Sequence, residues 1–158
     1  MTMIGCTGHQ QMPPEARVYA DREMRLLLAS VETSIVGVSS LAAGADQMFA
    51  RAVRELGGRL HVFIPSVGYE STFSEAEDLR SYLQLLAEAT TVATLPCPEP
   101  SEAAFLAAGK AVVDECDVLY AVWDGKPAQG LGGSADVVKY ARSQGKAVQV
   151  VWPEGVSR

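Results

Sequence analysis

The sequence predicts an α/β protein with a doubly wound, mainly parallel sheet of about six strands and helices on both faces. Short apolar segments rich in β-branched residues alternate with longer segments whose apolar residues recur at helical spacing. Several of the strand-like segments are apolar almost throughout, which is typical of strands that helices cover on both faces. Gly and Pro residues separate the two kinds of segment along the whole chain.

Each predicted element has a boundary signal of its own. Pro13 and Pro14 fit the first turn of a helix that continues to about residue 30. Gly57 and Gly58 end the second helix, the third begins near residue 75, and Ser101 caps the fourth. The fifth helix ends near residue 144. Strands are predicted at residues 3–6, 34–38, 60–64, 91–95, 117–122 and 147–152.

The composition is that of an ordinary globular domain. The chain has 158 residues, of which 48% are apolar and 20% are charged. Its net charge of −6 disfavours non-specific binding to nucleic acid or to an anionic membrane. No direct nucleic acid partner and no membrane partner are therefore expected. No segment resembles a membrane span or a signal peptide.

The cysteine content favours a reducing compartment. Cys6, Cys97 and Cys116 are odd in number and show no CxxC spacing, which disfavours both a disulfide framework and a zinc site. We therefore expect a cytoplasmic protein with no metal site and no cofactor.

Three loops that follow predicted strands combine glycine with hydroxyl residues, and ligands bind beyond the carboxyl ends of such strands. The first loop, GCTGH, offers Gly5, Thr7, Gly8 and His9 as ligand-binding residues. Backbone N–H groups beside its glycines can turn toward an anion. His9 can stack on a base, bind a phosphate or transfer a proton. The pattern matches neither G-x-G-x-x-G nor a Walker loop, so glycines that only shape a turn are the alternative.

The second loop, SSLAAGAD, leads into the second helix. Ser39, Ser40 and Gly44 are small residues at a position where the positive end of the helix dipole favours a phosphate. Asp46 has two interpretations. It is either a first-turn acid that stabilises the helix or a carboxylate that faces the ligand.

The third loop belongs to WDGKPAQGLGGSADVV, which holds four of the chain's 14 glycines. Gly132, Gly133 and Ser134 immediately precede the last helix, so free N–H groups and a hydroxyl point outward together. Asp136 follows in the first helical turn, where an acid is favourable whatever the function, and it is the candidate catalytic residue.

Two more candidates lie at the start of this stretch. Asp124, just after the fifth strand, either accepts hydrogen bonds from a ribose or forms a turn before Gly125. Asp124 and Gly125 are both predicted to bind the ligand.

The loop after the third strand contains two aromatic residues, Tyr69 and Phe73. They either flank a flat ligand or only pack against the protein.

These motifs together resemble a known pattern. GCTGH, SSLAAGADQMFARAV, the Pro-then-Tyr loop and VVDECDVLYAVWDGKPAQGLGGSADVVKYA, in this order, resemble the SLOG superfamily. That group is Rossmann-like and is named after DNA-processing proteins and the Lonely Guy phosphoribohydrolases. The most similar branch is that of its small stand-alone bacterial members. The resemblance spans nearly the whole chain and implies one SLOG-like Rossmann domain over residues 1–158.

The resemblance implies a nucleotide or a nucleotide-derived ligand whose phosphate lies on a Gly-rich helix N-terminus. The hydrolases of the family carry P-G-G-x-G-T-x-x-E, and its glutamate is catalytic. In this chain Val137 stands at that position and Asp136 comes one residue early, which rotates a helical side chain by about 100°. Gln10 stands where relatives often have Arg.

Two functions follow as hypotheses. The first is a non-catalytic protein that senses or binds a nucleotide-type small molecule. The second is a nucleotide N-glycosidase, phosphoribohydrolase or deoxyribosyltransferase-like enzyme in which Asp136 stabilises or attacks the oxocarbenium-like centre. Homodimerisation is common in the family, and a homodimer is therefore expected as a possible assembly.

Overall fold

The computed structural model describes residues 1–127 and 133–158. Six strands and five α-helices alternate within these residues, and a short 3-10 helix (Tyr69–Thr72) follows β3. The strands are β1 (Thr2–Gly8), β2 (Ile35–Ser39), β3 (Arg59–Ile64), β4 (Thr91–Thr94), β5 (Val118–Val122) and β6 (Ala147–Val150). The helices are α1 (Pro14–Ala29), α2 (Ala45–Glu55), α3 (Ala76–Glu88), α4 (Glu102–Glu115) and α5 (Ser134–Ser143).

The strands form one sheet in the order β4-β3-β2-β1-β5-β6, and every neighbouring pair is parallel. From β1 to β4, each strand is added beside the preceding one on the same side of β1. The chain then crosses back to β5, which pairs with the other side of β1. This reversal makes the carboxyl ends of β1 and β5 the topological switch point, where ligands bind in such sheets. The doubly wound parallel fold predicted from the sequence is confirmed.

Helices cover both faces of the sheet because alternate strand residues point to opposite sides. Ile4, Cys6 and Leu60 pack into the larger core with residues of α1, α2 and α3. Leu119 and Ala121 pack into the second core with residues of α4 and α5. The predicted helix boundaries also hold, since Pro14 begins α1 and the Ser101 hydroxyl accepts a hydrogen bond from the Ala104 amide at 3.0 Å. Within the described residues, no helix is long and apolar enough to cross a membrane.

Candidate ligand-binding site

A cavity of about 640 Å³ lies at the carboxyl edge of the sheet. The end of β1, the loops after β2 and β3, the helix α4 and the first turn of α5 form its walls. It therefore spans the switch point between β1 and β5 and reaches across the edge toward β3.

The structure brings half of the predicted site residues together on the cavity wall and leaves the others away from it. The residues that line the cavity are Thr7, Gly8, His9, Ser40, Asp46, Gly133 and Ser134. Gly5, Ser39, Gly44, Asp124, Gly125 and Asp136 do not line it. Gly132 lies outside the described residues.

Two of the predicted glycines allow the close packing of backbone and helices. A Cβ on Gly5 would lie 2.8 Å from the Val112 side chain of α4. Gly44 has a φ of 83°, and a Cβ there would lie 2.4 Å from the carbonyl oxygen of Gln10. Gly44 thus lets the start of α2 approach the loop after β1, where the Ala45 amide donates to the His9 carbonyl at 3.2 Å.

The carboxyl group of Asp46, in the first turn of α2, turns to the loop before that helix. Asp46 is 8% exposed and accepts a hydrogen bond from the Ala42 amide at 3.4 Å. Burial raises its pKa from 3.8 to about 7, although the neighbouring polar groups of Ala42, Ser39, Cys6 and Ser40 lower it. Asp46 therefore orders the loop and also presents a titratable group to the cavity.

Burial likewise raises the pKa of the Cys6 thiol, and the neighbouring Asp46 raises it further. The thiol form is therefore the stable one, which disfavours Cys6 as a nucleophile.

His9 and Asp124 are buried and form a cluster with the partly exposed Arg158. The Nδ1 atom of His9 lies 3.0 Å from Nη1 of Arg158, and because a guanidinium can only donate, Nδ1 accepts there. The Nε2 atom of His9 lies 3.2 Å from the Asp124 backbone N–H and 3.4 Å from Oδ1 of Asp124. Burial and the charge of Arg158 lower the pKa of His9, with partial opposition from Asp124. His9 is therefore neutral at pH 7.

Asp124 holds this cluster together from behind the cavity wall. Its side chain is 2% exposed, its Oδ1 accepts from the Lys126 amide at 3.1 Å, and its Oδ2 lies 3.9 Å from Nε of Arg158. Burial alone would raise its pKa, but the Lys126 amide, His9 and Arg158 together lower it. Asp124 thus fixes Arg158, whose side chain lines the cavity, and does not itself reach a ligand there.

The N-terminus of α5 lies at the cavity wall. Gly133 is the N-cap residue, and no side chain caps the helix. Gly133 and Ser134 both line the cavity, and Ser134 begins α5. Helix N–H groups and a hydroxyl at such an N-terminus are able to donate hydrogen bonds to an anion.

The side chains of Asp136 and Val137, in the first turn of α5, differ in whether they line the cavity. Val137 lines the cavity and contacts α4, where a Cβ on Gly109 would lie 2.6 Å from its methyl group. Asp136 is half-buried, does not line the cavity and has interactions of its own. The cavity-facing position of the first turn of α5 is therefore aliphatic.

Several lining residues have no motif in the sequence that would have identified them. Phe105 and Gly109 reach the cavity because α4, in the crossover from β4 to β5, packs on the face of the sheet over β1, β2 and β3. Asp78 lies in the first turn of α3, and Arg158 is brought back by the segment after β6. Only Tyr69 and Phe73 carried a signal, as aromatic residues in a polar loop. In the described parts of the chain, no cluster of three or more His, Cys, Asp or Glu residues could hold a metal ion.

The fold is similar to those of several solved structures. DNA processing protein A (DprA) from Streptococcus pneumoniae matches 95% of this chain with a TM-score of 0.69 and 20% identity. The chain spans only half the length of that structure. A single-stranded DNA-binding DprA from Helicobacter pylori matches 99% of this chain and 68% of its own length, with a TM-score of 0.69 and 17% identity.

A third structure extends the comparison beyond DNA-processing proteins. The molybdenum cofactor carrier protein from Chlamydomonas reinhardtii matches 95% of this chain and 76% of its own length, with a TM-score of 0.58 and 16% identity. No family model matches the sequence, and no curated protein matches it either.

The chain therefore has a Rossmann-like α/β fold that is similar to the folds of these proteins. At these identities the likeness shows the fold alone. The expectation that the chain binds no nucleic acid gains no support, because one of the similar structures is of a DNA-binding protein.

Proposed function

We propose that this protein binds a nucleotide or a nucleotide-derived small molecule in the cavity, with the phosphate on the N-terminus of α5. The observation that carries the proposal is that Gly133 and Ser134, at an α5 N-terminus that no side chain caps, line the same cavity as Arg158. Helix N–H groups, a hydroxyl and a guanidinium are all hydrogen-bond donors that favour a phosphate oxygen.

Arg158 supports the same assignment. It is the one lysine or arginine among the described residues that line the cavity, and His9 and Asp124 hold its guanidinium in place. Planar guanidinium groups bind phosphate through two parallel hydrogen bonds. Because Arg158 and the first residues of α5 line the same cavity, that cavity is chemically suited to a phosphoryl group.

Binding without cleavage is the function we propose. Asp136 does not line the cavity, and the residue at the position of the family's catalytic glutamate is the aliphatic Val137. No observation on the described residues favours N-glycosidic cleavage by Asp136. Release of free base from any bound nucleotide, measured by chromatography, would contradict this part of the proposal.

The proposed function is tested by thermal-shift and calorimetric screening of nucleoside monophosphates, NAD and ADP-ribose, with nucleosides and inorganic phosphate as controls. A ligand at 100 times its dissociation constant stabilises the fold by about 2.7 kcal/mol. A single-stranded oligonucleotide is a further arm. Binding of the oligonucleotide without binding of any mononucleotide would contradict the proposal.

A homodimer, a cytoplasmic location and a single domain over residues 1–158 stay predictions. Val18 and Leu26 expose apolar side chains on one face of α1, which is a surface where two copies could meet. Light scattering on the purified protein measures the assembly directly.

A further inference from the structure

The cavity has a second end that differs in chemistry from the phosphate seat. Tyr69 and Phe73, from the loop after β3, and Phe105 of α4 line it, and we call these three residues the aromatic end. The Tyr69 ring centroid lies 5.4 Å from that of Phe73 and 6.2 Å from that of Phe105, both edge-on. Phe73 also stacks on the buried Tyr82 at 4.9 Å. These mutual contacts fix the rings before any ligand binds.

The two ends are separated by a distance that suits a nucleotide. The aromatic end follows β3 and the phosphate seat follows β5, with β2 and β1 between them in the sheet. Neighbouring strands lie about 4.8 Å apart, so β3 and β5 are about 14 Å apart. A ring system, a ribose and a phosphate in series bridge such a span.

The aromatic end also contains a hydroxyl group. It belongs to Tyr69, which is 4% exposed and lines the cavity. Burial, followed by the charge of Asp46, raises its pKa, so the hydroxyl keeps its proton. Tyr69 and Asp46 both line the cavity, so the Tyr69 hydroxyl is available to a ligand.

The charges on the cavity wall are opposite at the two ends. Asp46 and Asp78 lie toward β2 and β3, whereas Arg158 and the positive end of α5 lie toward β5. A complementary ligand carries an anion at one end and hydrogen-bond donors at the other. A carboxylate accepts hydrogen bonds from an amino group but repels the lone pairs of a carbonyl oxygen.

We propose that the aromatic end binds a flat heterocycle that carries an exocyclic amino group, with that group directed to Asp46 and Tyr69. This inference rests on the proposed function and names its ligand class. Adenine- and cytosine-type nucleotides bind more tightly than their oxo counterparts, in which an oxygen replaces the amino group and the adjacent ring nitrogen carries a proton. The preference is measured at about pH 8, where Asp46, with its pKa of about 7, is mainly ionised. One hydrogen bond to a charged acceptor is worth about 1.5–3 kcal/mol, so the preference there is about tenfold to 100-fold.

The experiment is calorimetric titration with two matched pairs, AMP against IMP and CMP against UMP. At least one amino member is expected to bind tenfold or more tightly than its oxo partner. Asp46→Asn is expected to reduce that preference to less than threefold. Asp21→Asn makes the same chemical change on the exposed face of α1 and is expected to leave it unchanged.

Tyr69→Phe keeps the ring and removes only the hydroxyl, so it tests the same end if Asp46→Asn fails to fold. It is expected to weaken the tighter nucleotide severalfold. Equal affinities for AMP and IMP, and for CMP and UMP, would overturn the inference while the proposed function stands. Failure of all four nucleotides to bind would overturn both.

Discussion

The N-termini of α2 and α5 open on the same edge of one sheet, but the protein treats them differently. At α2, the Asp46 carboxyl group accepts a hydrogen bond from the Ala42 amide of the preceding loop, and the Ala45 amide donates to the His9 carbonyl. No side chain caps either helix, but Asp46 lines the cavity at the α2 N-terminus, whereas Gly133 and Ser134 line it at α5 together with Arg158. Equal helix dipoles therefore do not make equal anion sites, because a neighbouring carboxyl group disfavours an anion and a guanidinium favours one.

The largest expected effect comes from a substitution that disrupts the packing at the N-terminus of α2. Gly44→Ala is expected to lower the free energy of unfolding by roughly 3–5 kcal/mol, because it adds strain at a positive φ and an overlap with the Gln10 carbonyl. Gly57→Ala is the matched control, since Gly57 has the same φ of 83° and nothing lies within 4 Å of its added Cβ. It is expected to cost about 1 kcal/mol in the same urea titration. Equal costs would contradict the packing role of Gly44.

The second prediction concerns the acid at the α2 N-terminus. The pKa of Asp46 is about 7 in the folded state and 3.8 without the fold, so the folded protein keeps a proton that the unfolded chain has released. Stability that this group contributes below pH 4 is therefore lost as the pH rises to 7. Asp46→Asn is expected to gain stability relative to the wild type over this window, by about 3 kcal/mol.

Urea unfolding of both proteins at pH 4.5 and pH 7.5 measures that change. Asp21→Asn, which removes an exposed acid of α1, is the control and is expected to show a difference below 1 kcal/mol. A stability difference between Asp46→Asn and the wild type that is the same at both pH values would contradict the raised pKa.

The third prediction addresses the α5 side. Gly133→Val is expected to weaken nucleoside monophosphates by 100-fold or more, about 2.7 kcal/mol, because the new side chain occupies the anion seat. Its φ of −69° and ψ of 169° suit valine, so the melting temperature is expected to fall little. A folded variant with wild-type affinity for the phosphorylated ligand would show that the phosphate lies elsewhere.

The smallest effect is that of one hydroxyl. Ser134→Ala is expected to weaken a phosphorylated ligand about tenfold through the loss of one charge-assisted hydrogen bond. Ser143→Ala, at the other end of α5, also removes a hydroxyl, which there donates to the Tyr140 carbonyl. Ser143→Ala is expected to leave the affinity for the ligand unchanged. A similar loss of affinity in both variants would indicate that a less stable α5, and not a lost hydrogen bond to the ligand, is the cause.

The same comparison shows what the sequence could predict. Periodicity and boundary residues such as Pro14 and Ser101 predicted the fold, and the Gly-Ser pair before α5 predicted its open N-terminus. The spacing of the glycines in the sequence could not show which of them face a ligand. Gly5 and Gly44 instead allow close packing against residues that are distant in the sequence and become neighbours only in the fold. Asp124 follows its strand as predicted but turns to His9 and Arg158. Arg158 itself is 149 residues from His9, a separation over which no local pattern carries information.

The central claim, that the α5 N-terminus binds the phosphate of a nucleotide, is tested most directly by titrating the wild-type protein with AMP and with adenosine in a calorimeter. The two ligands differ only in the phosphate. AMP is predicted to bind at least 100-fold more tightly than adenosine, and Gly133→Val is predicted to abolish that difference. Equal affinities of the wild type for AMP and adenosine would contradict the claim.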